Sequence, residues 1–302
     1  MQDLSDASPK ADIKRHFRPK RRLKWLANTL AMEGPLNIAD IGANPTHAPP
    51  YENLMNAGHA KVWGFEPNSA AFALLQEDPN PNRIIFNKAV GKPGPATYYS
   101  HQISNLSSLF QIKASCARFL GKGFWANRKV DEVPVDLVGL DTLTEMPPLD
   151  LLKMDLQGGE LGVLENAVGK LATTMAVVCE VRFYRMYEGE PMWAEVDQEL
   201  RRQGFVLHKI MHTKTVRLDQ SQKERLKGKG FKSQLLDGDA AYIRNIEDPE
   251  SITTAQWKAL ALVSAAVLKS HDLCLYCLDE LARRGEIKKS VPVQYCDKLL
   301  GE

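Results

Sequence analysis

The 302-residue chain has little of what would mark a special class. It has no long hydrophobic run: the longest, about 259–268, is broken by Ser264 and is too short to cross a bilayer. Neither sign of charge dominates, with 39 Lys and Arg against 37 Asp and Glu and a formal net charge of +2. That balance gives no reason to expect nucleic acid as the main partner. There are only five cysteines, an odd number set mostly inside apolar patterns. They read as reduced thiols, so the expectation is a cytoplasmic protein rather than a disulfide scaffold. The start is polar and then basic, without the apolar core of a secretion signal. No repeat or low-complexity segment is present. The apolar share of 44% and charged share of 25% exclude a disordered chain.

What is present divides into three parts. Residues 1–35 form a basic leader, with Lys14, Arg15, Arg18, Lys20, Arg21, Arg22 and Lys24, feeding a helix expected to dock by Trp25, with contact to an anionic membrane surface or polyanion as the alternative. Residues 36–246 alternate strand-like runs with helical ones. The strand candidates are 37–41, 61–65, 84–90, 151–154, 175–181, 205–210 and 240–244. Several are apolar on both faces, as strands covered by helices must be. Helices fit over 69–77, 159–171 and 192–203. Such alternation means a doubly wound α/β sheet. Residues 104–132, with Phe110, Phe119, Phe124 and Trp125, break the pattern and read as an inserted lid or substrate loop. Residues 247–302 form a C-terminal helical extension, with one helix capped by Thr253 or Thr254 and a second stopped by Gly285.

Four segments carry chemistry. In NIADIGAN (37–44), a strand delivers Asp40 and then turns at Gly42, where the missing Cβ lets backbone approach a ligand. The dinucleotide fingerprint G-x-G-x-x-G is absent, so a pyrophosphate cradle is not expected. In VWGFEPN (62–68), Glu66 ends the second strand, where this fold places the acceptor for a ribose diol. In LDLLKMDLQGGELGVLENA (149–167), Asp155 ends a buried strand beside the first one, at the topological switch point. In VVCEVRFYRMYEG (177–189), Glu180 lies near the end of the next strand. Asp155 and Glu180 could converge on one site, although a single acid of this kind is more often a cap or an ion-pair partner. His271, Cys274 and Cys277 lie along one helix and spread around its face, so buried thiols are expected rather than a metal site. The basic run Lys223–Lys232 reads as a solvated hairpin tip, with binding of a substrate phosphate as the alternative.

DIGAN, GFEPN, VPVDLVGLDTL, KMDLQGGELGVLENA, CEVRFYRMYEGEPMWAEVDQELRRQGF and GDAAYIRN occur in order over roughly residues 38–245. In this they resemble the FkbM-type S-adenosylmethionine-dependent methyltransferases; DLQGGE beside FEPN is the specific part. The resemblance implies a class I methyltransferase fold, Rossmann-like, with a seven-stranded, mostly parallel sheet in which one strand is reversed. It implies S-adenosylmethionine as cofactor and methyl transfer to a hydroxyl of a small acceptor such as a sugar, polyketide or other secondary metabolite. By that similarity Asp40, Gly42 and Asn44 line the methionine part of the cofactor. Glu66 holds the ribose, Asn87, Ala89 and Val90 lie near adenine, and Asp155 sits beside the methyl. Asp155 and then Glu180 are the expected proton acceptors. Ser107 and Ser108 match a serine pair of the family. Thr46 departs from the glycine usual two residues after GAN and motivates a rival reading, a non-catalytic relative acting as a binding or assembly partner. A nicotinamide enzyme is a second rival, disfavoured by the missing glycines. No transmembrane segment and no metal are expected, and a homo-oligomer is left open.

Overall fold

The computed structural model describes residues 9–45 and 48–301, with side chains from Lys20 onward except that of Lys229. The Thr46 departure, His47 and the leader cations before Lys20 therefore lie outside the described residues or side chains. Ten strands follow in chain order: β1 (Leu36–Ile41), β2 (Ala60–Phe65), β3 (Arg83–Phe86), β4 (Ala89–Val90), β5 (Gly94–His101), β6 (Val130–Val138), β7 (Leu151–Met154), β8 (Ala176–Arg182), β9 (Phe205–Val216) and β10 (Gln234–Arg244). The helices are α1 (Pro9–Leu30), α2 (Glu52–Asn56), α3 (Ser69–Glu77), α4 (Ala114–Phe119), α5 (Glu160–Glu165), α6 (Val168–Leu171), α7 (Trp193–Arg202), α8 (Thr254–Val263), α9 (His271–Arg283) and α10 (Val291–Leu300).

Seven strands form one sheet in the order β3-β2-β1-β7-β8-β10-β9. The pairs β2–β3, β1–β7 and β7–β8 are parallel; β10 runs antiparallel to both β8 and β9. The chain order reverses between β1 and β7, so the crevice at their carboxyl ends is the switch point. The central strands β1, β2, β7 and β8 are buried on both faces for the reason given above, whereas β3 and β9 at the sheet edges are not. Ala39, Ile41, Leu152, Met154, Val177 and Cys179 are buried in one cluster with Val196 and Leu200 of α7.

Three expectations need correction. The run 84–90 is two strands, because Asn87 and Lys88 turn the chain out of the large sheet and β4 pairs with β6 instead. The insert is not a loop throughout. Residues 130–132 belong to β6, which pairs with β5 along its full length in a second sheet of order β4-β6-β5. The helix expected over 159–171 breaks between Glu165 and Val168.

Contacts divide the chain into two compact units. Of the described residues, one holds 37–45 and 62–245; the other holds 9–36, 48–61 and 246–301. In the second, the leader helix and the C-terminal helices, expected as separate parts, pack together: α1 touches α8 and α10. Leu26 and Leu30 of α1 are fully buried, and Trp25 is half-buried beneath the ammonium of Lys298, 5.0 Å from its ring. Leu26 and Leu30 thus carry the docking assigned to Trp25. Thr253 caps α8, accepting from the Gln256 backbone while the Gln256 side chain accepts from the Thr253 N–H. A π-helical turn, Ser264–Leu268, follows. Among the described residues no helix is long and apolar enough to cross a membrane.

Candidate active site

The site is delivered by strand register. β1 and β7 pair Asp40 with Lys153; β8 and β10 pair Glu180 with Asp239 and Arg182 with Asp237; β10 and β9 pair Asp239 with His212 and Asp237 with Lys214. Side chains two apart on a strand share a face. Lys153 and Asp155, Glu180 and Arg182, Asp237 and Asp239, and His212 and Lys214 therefore occupy neighbouring rows. Opposite signs meet across the rows. Lys153 Nζ lies 3.0 Å from Asp40 Oδ1, and Arg182 reaches Glu180 at 2.9 Å, Asp237 at 3.0 Å and Glu190 at 3.3 Å. Burial works to lower the Lys153 ammonium, but Asp40, Asp155 and Asp239 outweigh it and hold it above its ordinary value. Arg182 likewise stays firmly charged: burial opposes its charge, and Glu180 and Glu190 more than restore it.

The loop after β7 carries the tightest geometry. Gly42 turns at φ +82°, and a Cβ there would stand 2.2 Å from the Asp155 carbonyl oxygen, so only glycine lets these two strand ends meet. Gln157 adopts the left-handed region at φ +54°, a cost of roughly 1–2 kcal/mol for a residue with a side chain. Its hydrogen bonds account for that. Nε2 donates to Asp155 Oδ1 at 3.0 Å and to Glu180 Oε2 at 2.7 Å. Oε1 accepts from Arg182 at 3.2 Å and from the Tyr187 hydroxyl at 3.3 Å, and the Gln157 carbonyl accepts from the Ser108 hydroxyl at 2.7 Å. Gly158 follows at φ +107°, packed against Glu190. Glu160 then closes the turn, accepting from the backbone N–H groups of Leu156 and Gly158. Burial raises Glu160 to about 7, against the pull of those hydrogen bonds.

The predicted residues fall into two groups around this loop. Asp155 is exposed at the end of β7, and Glu180 is nearly enclosed beside it, so the structure brings the two carboxylates onto one amide. Burial pushes Glu180 well above its usual range, with Arg182 opposing and Asp155 adding to the rise. Across the β1 end, Asp40 is buried and Asn44 is exposed. Glu66 is 7% exposed at the end of β2, where Oε1 accepts from the Asn68 N–H at 2.8 Å. Burial, reinforced by Asp40, raises its carboxyl to about 7 despite the hydrogen bond from Asn68. Asn87 fixes the same turn by donating to the carbonyls of Glu66 and Pro67. Ala89 and Val90 are buried in β4, Val90 as part of the core.

Sequence reasoning missed Lys153, Gln157, Arg182, Tyr187, Asp237 and Asp239 as members of this network. The signal was present in the spacing of two between Lys153 and Asp155, Glu180 and Arg182, and Asp237 and Asp239. Tyr98 of β5 was also missed: it is raised above its ordinary value by burial, opposed by a hydrogen bond with Ser107 and reinforced by the charge of Glu66. Elsewhere, Cys274 and Cys277 are buried in α9, and burial drives Cys274 to about 12 and Cys277 well above its ordinary value, which disfavours the thiolate a metal needs. Among the described residues no group of three His, Cys, Asp or Glu is arranged to hold a metal.

The sheet order, its reversed β10 and the carboxylates at the ends of β1, β2 and β7 define a class I methyltransferase. A family model, the methyltransferase FkbM domain, matches residues 40–207. The chain belongs to the FkbM methyltransferase family, and its cofactor is S-adenosylmethionine. No curated protein sequence matches it. Solved structures similar to it include the precorrin-6y C5,15-methyltransferase of Geobacter metallireducens (10% identity, 81% of this chain and 93% of that one, TM-score 0.35). Others are the plantazolicin methyltransferase BpumL in complex with SAH (9%, 79% and 92%, 0.35) and M. jannaschii TYW2 in complex with AdoMet (14%, 75% and 76%, 0.30). At such scores these likenesses add nothing to what the strand order shows.

Proposed function

We propose that this chain methylates a hydroxyl group on a small acceptor, with Asp155 as the proton acceptor and residues 36–246 as the catalytic part. The observation that carries the reading is the placement of Asp155: exposed at the switch point, one oxygen fixed by Gln157, with Glu66 at the end of β2 on the far side of β1.

The residues fit the cofactor. Glu66 is a buried carboxylate at a strand end, and burial has raised it, so a diol that donates to it restores an ionised, hydrogen-bonded state. Asp40, Gly42 and Asn44 on the loop after β1, and Asn87 and the β4 segment beyond Glu66, complete the proposed cradle. When bound, the cofactor supplies a methyl group on a sulfonium, and its leaving group is neutral.

The protein must then align an alcohol and remove its proton. Alignment can contribute roughly 7–11 kcal/mol. Gln157 occupies Asp155 Oδ1, so the proton goes to Oδ2. Glu180 serves less well as the base, because Arg182 and Gln157 both donate to its Oε2. Its role is to hold the amide that holds Asp155. The test is a screen of hydroxylated sugars and metabolites with methyl-labelled cofactor, repeated with Asp155→Asn. Label on nitrogen or carbon of every accepted compound, and none on oxygen, would overturn the reading.

A further inference from the structure

The chain is nearly neutral overall, but one part of its surface is not. Segments 102–129 and 217–233 together hold eleven of the 39 Lys and Arg and two of the 37 Asp and Glu, which leaves the rest of the chain net acidic. The first segment, with Lys113, Arg118, Lys122, Arg128 and Lys129, contains no acid. In the second, Asp219 is paired with Lys223 at 2.9 Å, leaving Arg217, Arg225, Lys227, Lys229 and Lys232 against Glu224.

The two segments sit on one base. Cys116 and Leu120 share a buried cluster with Val216 and Leu236, and Trp125 and Leu218 pack against it. The Asp219 N–H donates to the Phe119 carbonyl at 2.9 Å, which ties the second segment to the end of α4.

Their outer faces carry apolar side chains that the fold leaves in water. Phe124 is 46% exposed, Phe231 51%, Phe119 43% and Leu226 36%; these are the only exposed phenylalanines among the described residues. A solvated basic face has no use for them. Alternating cations and large apolar side chains on adjoining loops match a surface that is anionic outside and oily within. A nucleic acid would account for the cations and for stacking on phenylalanine. It would not account for Leu226, which has no ring to stack.

We propose that this face docks on an anionic membrane surface, with Phe124, Leu226 and Phe231 entering the interface and the surrounding Lys and Arg pairing with acidic headgroups. The proposal stands apart from the methyl-transfer reading, since none of these residues belongs to the site.

The test is sedimentation of the full chain with vesicles of phosphatidylcholine, alone or mixed with phosphatidylglycerol. The chain should pellet with the mixed vesicles only, and release as salt rises. Each cation near such a surface contributes about fivefold in affinity. Lys122→Glu, Lys227→Glu and Lys232→Glu combined should therefore weaken binding by at least about a hundredfold. Phe124→Ser with Phe231→Ser should weaken vesicle binding while leaving retention on a single-stranded oligonucleotide and the thermal midpoint unchanged. Failure of the unaltered chain to pellet with mixed vesicles at low salt would overturn the proposal. So would vesicle binding that ignores the two phenylalanines while oligonucleotide binding depends on them.

Discussion

The side-chain amide of Gln157 stands 2.7 Å from Glu180 Oε2 and 3.0 Å from Asp155 Oδ1, donating to both. One nitrogen thus fixes the separation of two carboxylates that come from different strands. The left-handed backbone of Gln157 is what aims it.

Gln157→Ala should therefore lower turnover by about a hundredfold through loss of alignment, with little change in cofactor affinity. Gln157→Gly should lose the same activity but unfold later than the alanine variant, by roughly 1–2 kcal/mol, because glycine carries no left-handed cost. Chemical denaturation and single-turnover rates on the pair separate the two effects. Equal stability of the two variants would show that the backbone is not strained.

Glu66 predicts a pH dependence. Its carboxyl titrates near 7 in the free protein, above the ordinary 4.5, because of burial. Hydroxyl donors favour the ionised form, so cofactor affinity should rise as pH passes upward through about 7, with proton release on binding below that. Calorimetry in buffers of different ionisation heat measures the release. Glu66→Gln should bind roughly 10- to 150-fold more weakly at about pH 8 and lose the dependence. In the absence of ligand the sign reverses. A raised carboxyl costs stability as pH climbs from 4.5 toward 7, so Glu66→Gln should be the more stable protein at about pH 8 and not at about pH 5.

Much of this was legible beforehand. Several of the seven strands announce themselves by double-sided apolar runs, and Asp40, Glu66, Asp155 and Glu180 stand at or near the ends of such runs. The second sheet was not legible. β6 is mostly exposed, and its apolar residues are broken by Asp131, Glu132, Pro134 and Asp136, so its pattern is that of a surface segment; it becomes a strand by pairing with β5. Gln157 was hidden for a different reason. Gln157 lies inside the DLQGGE motif, but residue chemistry alone gives a glutamine no role there, and apart from Asp155 the partners that define its role stand 23 to 49 residues away.

Asp155→Asn keeps the shape and removes the proposed base. Turnover should fall by about 10²- to 10⁴-fold while cofactor affinity changes far less, since the loss belongs to the transition state. Binding and rate measured on the same variant decide the role. A collapse of affinity together with rate would assign Asp155 to holding the cofactor instead.

Arg182 is the counter-charge on which the acids depend. Arg182→Met strands Glu180 and Glu190 without their buried partner and leaves Asp237 to Lys214 alone, and should destabilise by about 3–5 kcal/mol near neutral pH. Below neutrality the stranded carboxyls take up protons, so the deficit should shrink as pH falls. Thermal midpoints of both proteins across that range test it; a constant deficit would point to lost packing instead.

The hydroxyl of Ser108, on the insert, donates to the carbonyl of Gln157, and Tyr187 bridges Gln157 to the Leu106 carbonyl of the same insert. The insert, read from the sequence as a lid or substrate loop, is therefore bolted to the amide that joins the two acids. Exchanging the insert for that of another member of the family cannot act as a change of clothing. A graft that omits Ser108 also releases the Gln157 carbonyl, and should be slow on every acceptor, old or new.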